Sequence, residues 1–297
     1  MNEIRITEKT LDIKKVFQSK SPRITKWIPG FIFSYLRKKI HQDQINEFLY
    51  KNKDKTGLDF VDAVIDEFGI KYKVIGVENI PATGKFTLAS NHALGGADGL
   101  GIMQMIGKIR KDFTFLTNDI LLLLPNLQNL FTPVNKHGSN IDNMKFINEA
   151  FASNNLLLIF PAGLVSRKIK GEIKDLVWKA SFVSRSVKNQ RDIIPMHVEG
   201  KNSDFFYALA NWRKRLGIKA NLEMFLLPDE LFKQRDKSVT FTIGKPIPWT
   251  FFSNDISFRN WARIIREYVY ELRNNPGLVF DQAYLENKLL FNKYDNE

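Results

Sequence analysis

The sequence predicts an α/β protein: a mixed, largely parallel central sheet flanked by helices, with an N-terminal helical section and a C-terminal helical appendix. Three observations carry this. From Lys71 onward, short apolar runs alternate with segments of helical period, the pattern of strands joined by helices. Before Lys71 the apolar spacing is helical, as in Phe60, Val61, Val64, Ile65 and Phe68. After residue 250 it is helical again, with Phe258, Trp261, Ile265, Tyr268 and Leu272 repeating every three or four residues. The expected divisions are therefore residues 1–70, 71–250 and 251–297.

Residues 1–20 are polar and charged and are expected to form a loosely held lead-in. The stretch Trp27–Ile40 sets aromatic and aliphatic residues against Arg37, Lys38 and Lys39. It suits an interfacial helix lying on anionic lipid. It equally suits a helix packed on the domain whose cations complement its dipole. A second helix is expected near Asp43–Tyr50. Candidate strands are Tyr72–Val77, Phe86–Ser90, Phe113–Thr117, Phe131–Asn135, Leu156–Phe160, Ile193–Val198 and Val239–Ile243. Candidate helices between them are Asp98–Ile109, Asp142–Ala152, Asp175–Val187 and Ser203–Leu216, the third with Leu176, Ala180, Val183 and Val187 on one face. The run Ile120–Leu124 reads as buried core, with an acyl channel or bilayer contact as the alternative. Asn275-Pro276-Gly277 stops the helix of residues 251–274, and the last twenty residues are expected to form another.

Composition narrows the function. The 297 residues carry a net charge of +12. Between Gly163 and Ala220 there are thirteen Lys or Arg against five Asp or Glu. Such a field attracts nucleic acid, anionic membrane, acidic carriers or phosphorylated ligands. Interleaved aromatic and basic residues, zinc fingers and basic helices with heptads are missing, so nucleic acid is not an expected partner. There is no cysteine, which excludes disulfides and thiolate chemistry. His-Glu-x-x-His, Gly-x-Ser-x-Gly and the P-loop are also missing, so neither a bound metal nor a hydrolase elbow nor an NTPase is expected. The first 25 residues are charged throughout, without a secretory signal, and no apolar run nears the ~18 residues of a membrane span. The expectation is a cytoplasmic protein, peripheral on the inner face of the cell membrane.

Two stretches carry chemistry. Phe86–Ser90 runs into Asn91-His92, then a small, Gly-rich loop with Gly95 and Gly96, then Asp98. A strand that delivers an imidazole to its C-terminal edge, with a loop returning a carboxylate to it, makes a minimal general base. The competing reading is a structural histidine and an N-capping aspartate. The second stretch is the strand Leu156–Phe160 followed by Pro161-Ala162-Gly163, then Ser166, Arg167 and Lys168. A Pro-x-Gly turn exposes backbone N–H groups, and the Ser-Arg-Lys run adds hydroxyl and cationic donors suited to a phosphate or carboxylate. In open sheets, ligands sit at the carboxyl ends of strands, where both stretches lie. His41, His137 and His197 read as structural or loop residues.

At these residues the sequence resembles the PlsC-like phospholipid/glycerol acyltransferase family, over residues 71–250. Asn91-His92 with Asp98 looks like its first block, Thr132–Lys136 its second, Phe160-Pro161-Ala162-Gly163 with Ser166 and Arg167 its third, and Ile194-Pro195-Met196 its fourth, which lines the acyl site. The resemblance implies His92 as general base, Asp98 as its orienting carboxylate, and Lys136, Gly163, Ser166 and Arg167 as substrate-binding residues. It implies a lysolipid acceptor, acyl-CoA or acyl-carrier protein as donor, an anionic membrane surface as partner, and no cofactor. Two departures stand out. Five residues separate His92 from Asp98 where the family has four, and Ala162 replaces the family's Glu. Both variants are similar to the bacterial hemolysin-like and amino-lipid branch, whose acceptors include lyso-ornithine and lyso-glycine lipids. The alternative is a catalytically degenerate protein that only binds lipid at the membrane surface.

Overall fold

The computed structural model describes residues 11–20, 25–26, 28–117, 124–133, 140–218 and 220–294. Among them nine strands form. They are β1 (Lys71–Ile75), β2 (Phe86–Ser90), β3 (Phe113–Thr117), β4 (Phe131–Pro133), β5 (Leu156–Ile159), β6 (Arg167–Ile169), β7 (Glu172–Lys174), β8 (Asp192–Val198) and β9 (Ser238–Ile243). Seven make one sheet in the order β1-β9-β8-β2-β5-β3-β4, and β6 with β7 makes a separate hairpin. Neighbours in the sheet are parallel except β8 and β9. The α/β class and the largely parallel, mixed sheet thus match the sequence expectation.

The centre of the sheet is apolar on both faces, as parallel strands covered by helices must be. Leu88 joins one core cluster and Ala89 the other; Ile194 and Ile193 divide the same way. Adjacent strand residues point to opposite faces, so each strand feeds both layers. One layer is α4 (Gly57–Phe68) and α5 (Gly96–Ile109), following α1 (Ile13–Lys20), α2 (Gly30–Lys39) and α3 (Gln42–Lys51). The other contains α7 (Ser181–Lys188) and α10 (Phe258–Glu271), whose Trp261, Ala262, Ile264, Ile265, Tyr268 and Val269 are buried. The remaining helices are α6 (Asn140–Ala152), α8 (Asp204–Arg215), α9 (Leu227–Phe232) and α11 (Gln282–Tyr294). No described helix is long and apolar enough to cross a membrane.

One close approach locks α5, the helix that carries Asp98, to the sheet. A Cβ on Gly101 would stand 2.2 Å from Tyr72 Cε1 and 2.7 Å from Phe241 Cζ. Those two rings stack at 5.1 Å across β1 and β9. Only a residue without a side chain fits there.

Three expectations are corrected. The lead-in is not loose at its C-terminal end: α1 forms, Ile13 is buried, and Asn46 and Gln42 pin the backbone at Leu11 and Ile13. The helix expected from Asp175 begins only at Ser181. Asp175 and Trp178 face inward and hydrogen-bond to each other, side chain to side chain, so residues 175–180 follow the demands of the site rather than helical period. The hairpin β6–β7 was not expected, its three-residue strands being too short for an alternation to register. On α2, Arg37 pairs with Asp43 and Lys39 with Asp229 and Phe33 turns inward, while Phe31, Tyr35 and Lys38 are exposed.

Candidate active site

β2 ends at Ser90, and the next residue clamps the chain. The Asn91 side chain donates to the Val198 carbonyl at 2.9 Å and accepts from the Val198 N–H at 2.7 Å. This ties the end of β2 to the end of β8 and leaves His92 at the sheet's edge. The chain then turns through Gly95, whose φ of +85° suits glycine, and α5 starts at Gly96. Asp98, in the first turn of α5, points back into the loop. Its Oδ2 lies 3.0 Å from His92 Nδ1 and accepts from the N–H groups of Leu94 at 2.8 Å and Gly95 at 3.3 Å. Half of a capping box thus orients the carboxylate. The left-handed Gly95 turn accommodates the longer His-to-Asp spacing.

The pair is asymmetric in exposure. Asp98 is fully buried, whereas the His92 side chain keeps 16% of its surface open. No described residue hydrogen-bonds to Nε2. With Nδ1 held by a buried carboxylate, Nε2 is the nitrogen left to take a proton. The imidazole stacks on Phe160, ring centres 3.8 Å apart. The final residue of the Leu156–Phe160 run therefore fixes the ring plane.

The loop after Phe160 grips the backbone of His92. Ser166 N–H donates to the His92 carbonyl at 2.7 Å, and its hydroxyl reaches the same carbonyl at 3.1 Å and Asp175 Oδ1 at 2.6 Å. Asp175 completes the frame. Its carboxylate accepts from His92 N–H at 3.1 Å and from the Trp178 indole N–H at 2.9 Å, while its own N–H donates to the Tyr270 hydroxyl. Burial pushes the Asp175 carboxyl above the ordinary carboxylate range, against the pull of hydrogen bonds from Ser166, Trp178 and His92. Nothing local in the sequence marked Asp175, because its partners His92 and Tyr270 lie 83 and 95 positions away.

The expected substrate-binding residues divide. Gly163 stands in the turn with φ +70°. Ser166 is buried and faces His92's backbone. Arg167 is buried too. Its guanidinium meets Glu223 at 2.6 Å and the Val165 carbonyl, and Glu223 also takes Arg213. Burial lowers the Arg167 pKa, partly offset by the Glu223 charge. Arg167 therefore braces the loop between Val165 and Glu223 instead of opening onto a ligand. Lys136 and His137 lie outside the described residues. Ile194, Pro195 and Met196 are buried in the sheet beside β2. His197 is buried on the same strand and is held neutral, its pKa pushed down to about 4 by burial and the Arg273 charge.

One cation escaped the sequence reading. Lys179, exposed, places its ammonium 3.3 Å from where a Cβ on Gly163 would stand. No described residue pairs with that ammonium. It lies over the turn that starts at Phe160.

The model of the family described as Acyltransferase matches residues 15–277. The lyso-glycine lipid O-acyltransferase of Phocaeicola vulgatus is 46% identical over 264 residues, covering 88% of this chain and 95% of the relative. That of Bacteroides thetaiotaomicron is 44% identical over 264 residues, covering 88% and 97%. The solved 1-acyl-sn-glycerophosphate acyltransferase PlsC of Thermotoga maritima aligns with a TM-score of 0.46 and 16% identity, over 95% of this chain and 100% of that one. The chain belongs to the acyltransferase family and is an O-acyltransferase of lipid metabolism.

Proposed function

We propose that the enzyme moves a fatty acyl group from a thioester, acyl-CoA or acyl-carrier protein, to the hydroxyl of a lyso-glycine lipid at a membrane surface. The observation that carries this is the His92–Asp98 pair, buried at one end and open at the other. His92 Nε2 takes the proton of the acceptor hydroxyl as its oxygen attacks the thioester carbonyl. The C–S bond breaks, and the leaving thiolate recovers the proton from the imidazolium. Asp98 stabilises the imidazolium between those two transfers. The Gly163 N–H closes its turn onto the Phe160 carbonyl, so the oxyanion's donors are the neighbouring backbone N–H groups of that loop, worth roughly 2.7–4 kcal/mol each. The intact pair, and relatives named as transferases, favour turnover over the binding-only alternative.

The acceptor class rests on the two relatives' names. A glycine headgroup held through its nitrogen presents a carboxylate. With Arg167 engaged by Glu223, Lys179 is the cation placed to receive it. Thioester release is measured from palmitoyl-CoA and from acyl-carrier protein against lysophosphatidate, lyso-ornithine and lyso-glycine acceptors. The expected result is turnover that requires a lysolipid and is fastest with lyso-glycine lipid. Lys179→Ala should raise KM for that lipid on the order of tenfold, as loss of one charge-assisted contact does. Turnover limited to lysophosphatidate would overturn the acceptor assignment, and no turnover with any pair would overturn the reading as a whole.

A further inference from the structure

We propose that the outer face of α8 is a docking surface for an anionic lipid bilayer, an inference that rests on the lipid acceptor proposed above. Phe205, Leu209, Trp212 and Leu216 recur at intervals of four, three and four residues, which sets them on one stripe of the helix, with Leu209 half-buried at its root against the inner cluster. Phe205 is 54% exposed, Trp212 59% and Leu216 54%. The stripe borders an open groove of about 590 Å³ lined by Phe205, Leu209, Trp212 and Arg215 among others. Large apolar side chains gathered in one exposed stripe mark an interaction surface, whereas single ones scattered over a protein do not. Ile169, exposed at the hairpin β6–β7, extends the patch, because Asn211 on α8 donates to the Lys168 carbonyl.

The surrounding charge selects the occupant. Lys170 in the hairpin turn and Lys214 and Arg215 at the end of α8 are exposed, and no described carboxylate pairs with them. Apolar rings ringed by free cations suit a bilayer with anionic headgroups. An acidic carrier protein would meet the cations but leave the Phe, Trp and Leu stripe unmatched. The helix expected from sequence for this role, α2, also exposes Phe31 and Tyr35, but two of its three cations, Arg37 and Lys39, already face carboxylates and only Lys38 is open.

The opposite face of α8 connects this surface to the chemistry. Phe206 and Tyr207 pack on Val165 and Leu226. Val165 precedes Ser166, which holds the His92 carbonyl. Asn202, just before α8, donates to the Ala93 carbonyl. A bilayer seated on the outer stripe would lie across α8 from the loop that holds the His92 backbone.

The test compares the wild type with F205S/W212S, two exposed residues outside the catalytic machinery. Partition is measured by co-sedimentation with vesicles of phosphatidylcholine and phosphatidylglycerol, and with phosphatidylcholine alone. Turnover is measured in parallel on detergent-dispersed lysolipid with acyl-CoA. The expected result is wild-type binding that depends on phosphatidylglycerol, a loss on the order of tenfold or more in the double variant, and unchanged dispersed turnover. Tryptophan emission should shift to the blue on vesicle addition, and Trp212→Phe should remove that shift. Equal vesicle binding by wild type and double variant would overturn the proposal, as would a defect confined to acyl-carrier protein as donor. Absence of dispersed turnover in the wild type would overturn the acyl-transfer reading instead, while vesicle partition would still decide the docking face.

Discussion

Asp175→Ala should destabilise the fold by leaving buried donors without acceptors. In the wild type the carboxylate accepts three bonds, from the Ser166 hydroxyl, the His92 N–H and the Trp178 indole. In the alanine variant the Ser166 hydroxyl can still donate to the His92 carbonyl at 3.1 Å. The His92 N–H and Trp178 N–H have no such alternative. Each buried unmet donor costs about 1–3 kcal/mol, so the variant should lose about 2–6 kcal/mol. At ~2 °C per kcal/mol for a chain of this size, its Tm should fall by about 4–12 °C. Asp175→Asn should recover most of the loss. Its carbonyl can accept from Trp178, and its amide can donate to the Ser166 hydroxyl, which then donates to His92. Thermal unfolding followed by circular dichroism gives both numbers. An alanine variant that melts with the wild type would refute the reasoning, because Asp175 would then not be what satisfies those donors.

Two further outcomes follow from the core. Gly101→Ala gains up to ~1 kcal/mol of helix propensity, but its Cβ must displace the Tyr72 and Phe241 rings, and overpacking of that kind costs about 1–3 kcal/mol or more. Its denaturant midpoint should fall, and an unchanged or higher midpoint would show that the rings yield freely. His197 is held neutral with its pKa at about 4, below the ordinary ~6.5 of a free histidine. The unfolded chain therefore binds a proton that the folded chain refuses between those values, and stability falls as pH drops through that window. The His197 share of the loss should reach about 2 kcal/mol at pH 5 relative to pH 7. His197→Gln should flatten this part of the pH dependence, and an identical pH profile for the two proteins would contradict it.

How much could be read in advance depended on how local the cause was. The limits of β2 and β3 coincide with the expected runs, since an apolar strand buried on both faces leaves a continuous signal in its own residues. The His92–Asp98 pair was legible for the same reason: six positions of chain, with Gly95 in the turn, contain the whole constellation. Residues whose partners lie far away in sequence were not. Asp175 looked like a helix start because Val183 and Val187 follow at helical spacing, while its partners His92 and Tyr270 lie 83 and 95 positions away. Arg167 looked like a ligand cation because Glu223, 56 positions on, could not be placed beside it from sequence. Lys179 drew no notice because its significance comes only from a turn that folds against it.

The most direct measurement is thioester release with lyso-glycine lipid by wild type, His92→Ala and Asp98→Asn, each checked for folding by its melting curve. If His92 is the base, its alanine variant should lose about 10²- to 10⁴-fold in kcat/KM while melting near the wild type. Asp98→Asn keeps an acceptor for Nδ1 but removes the charge that supports the imidazolium, so it should fall between the two. A folded His92→Ala enzyme that turns over at the wild-type rate would place the proton transfer elsewhere and contradict the assignment of the site.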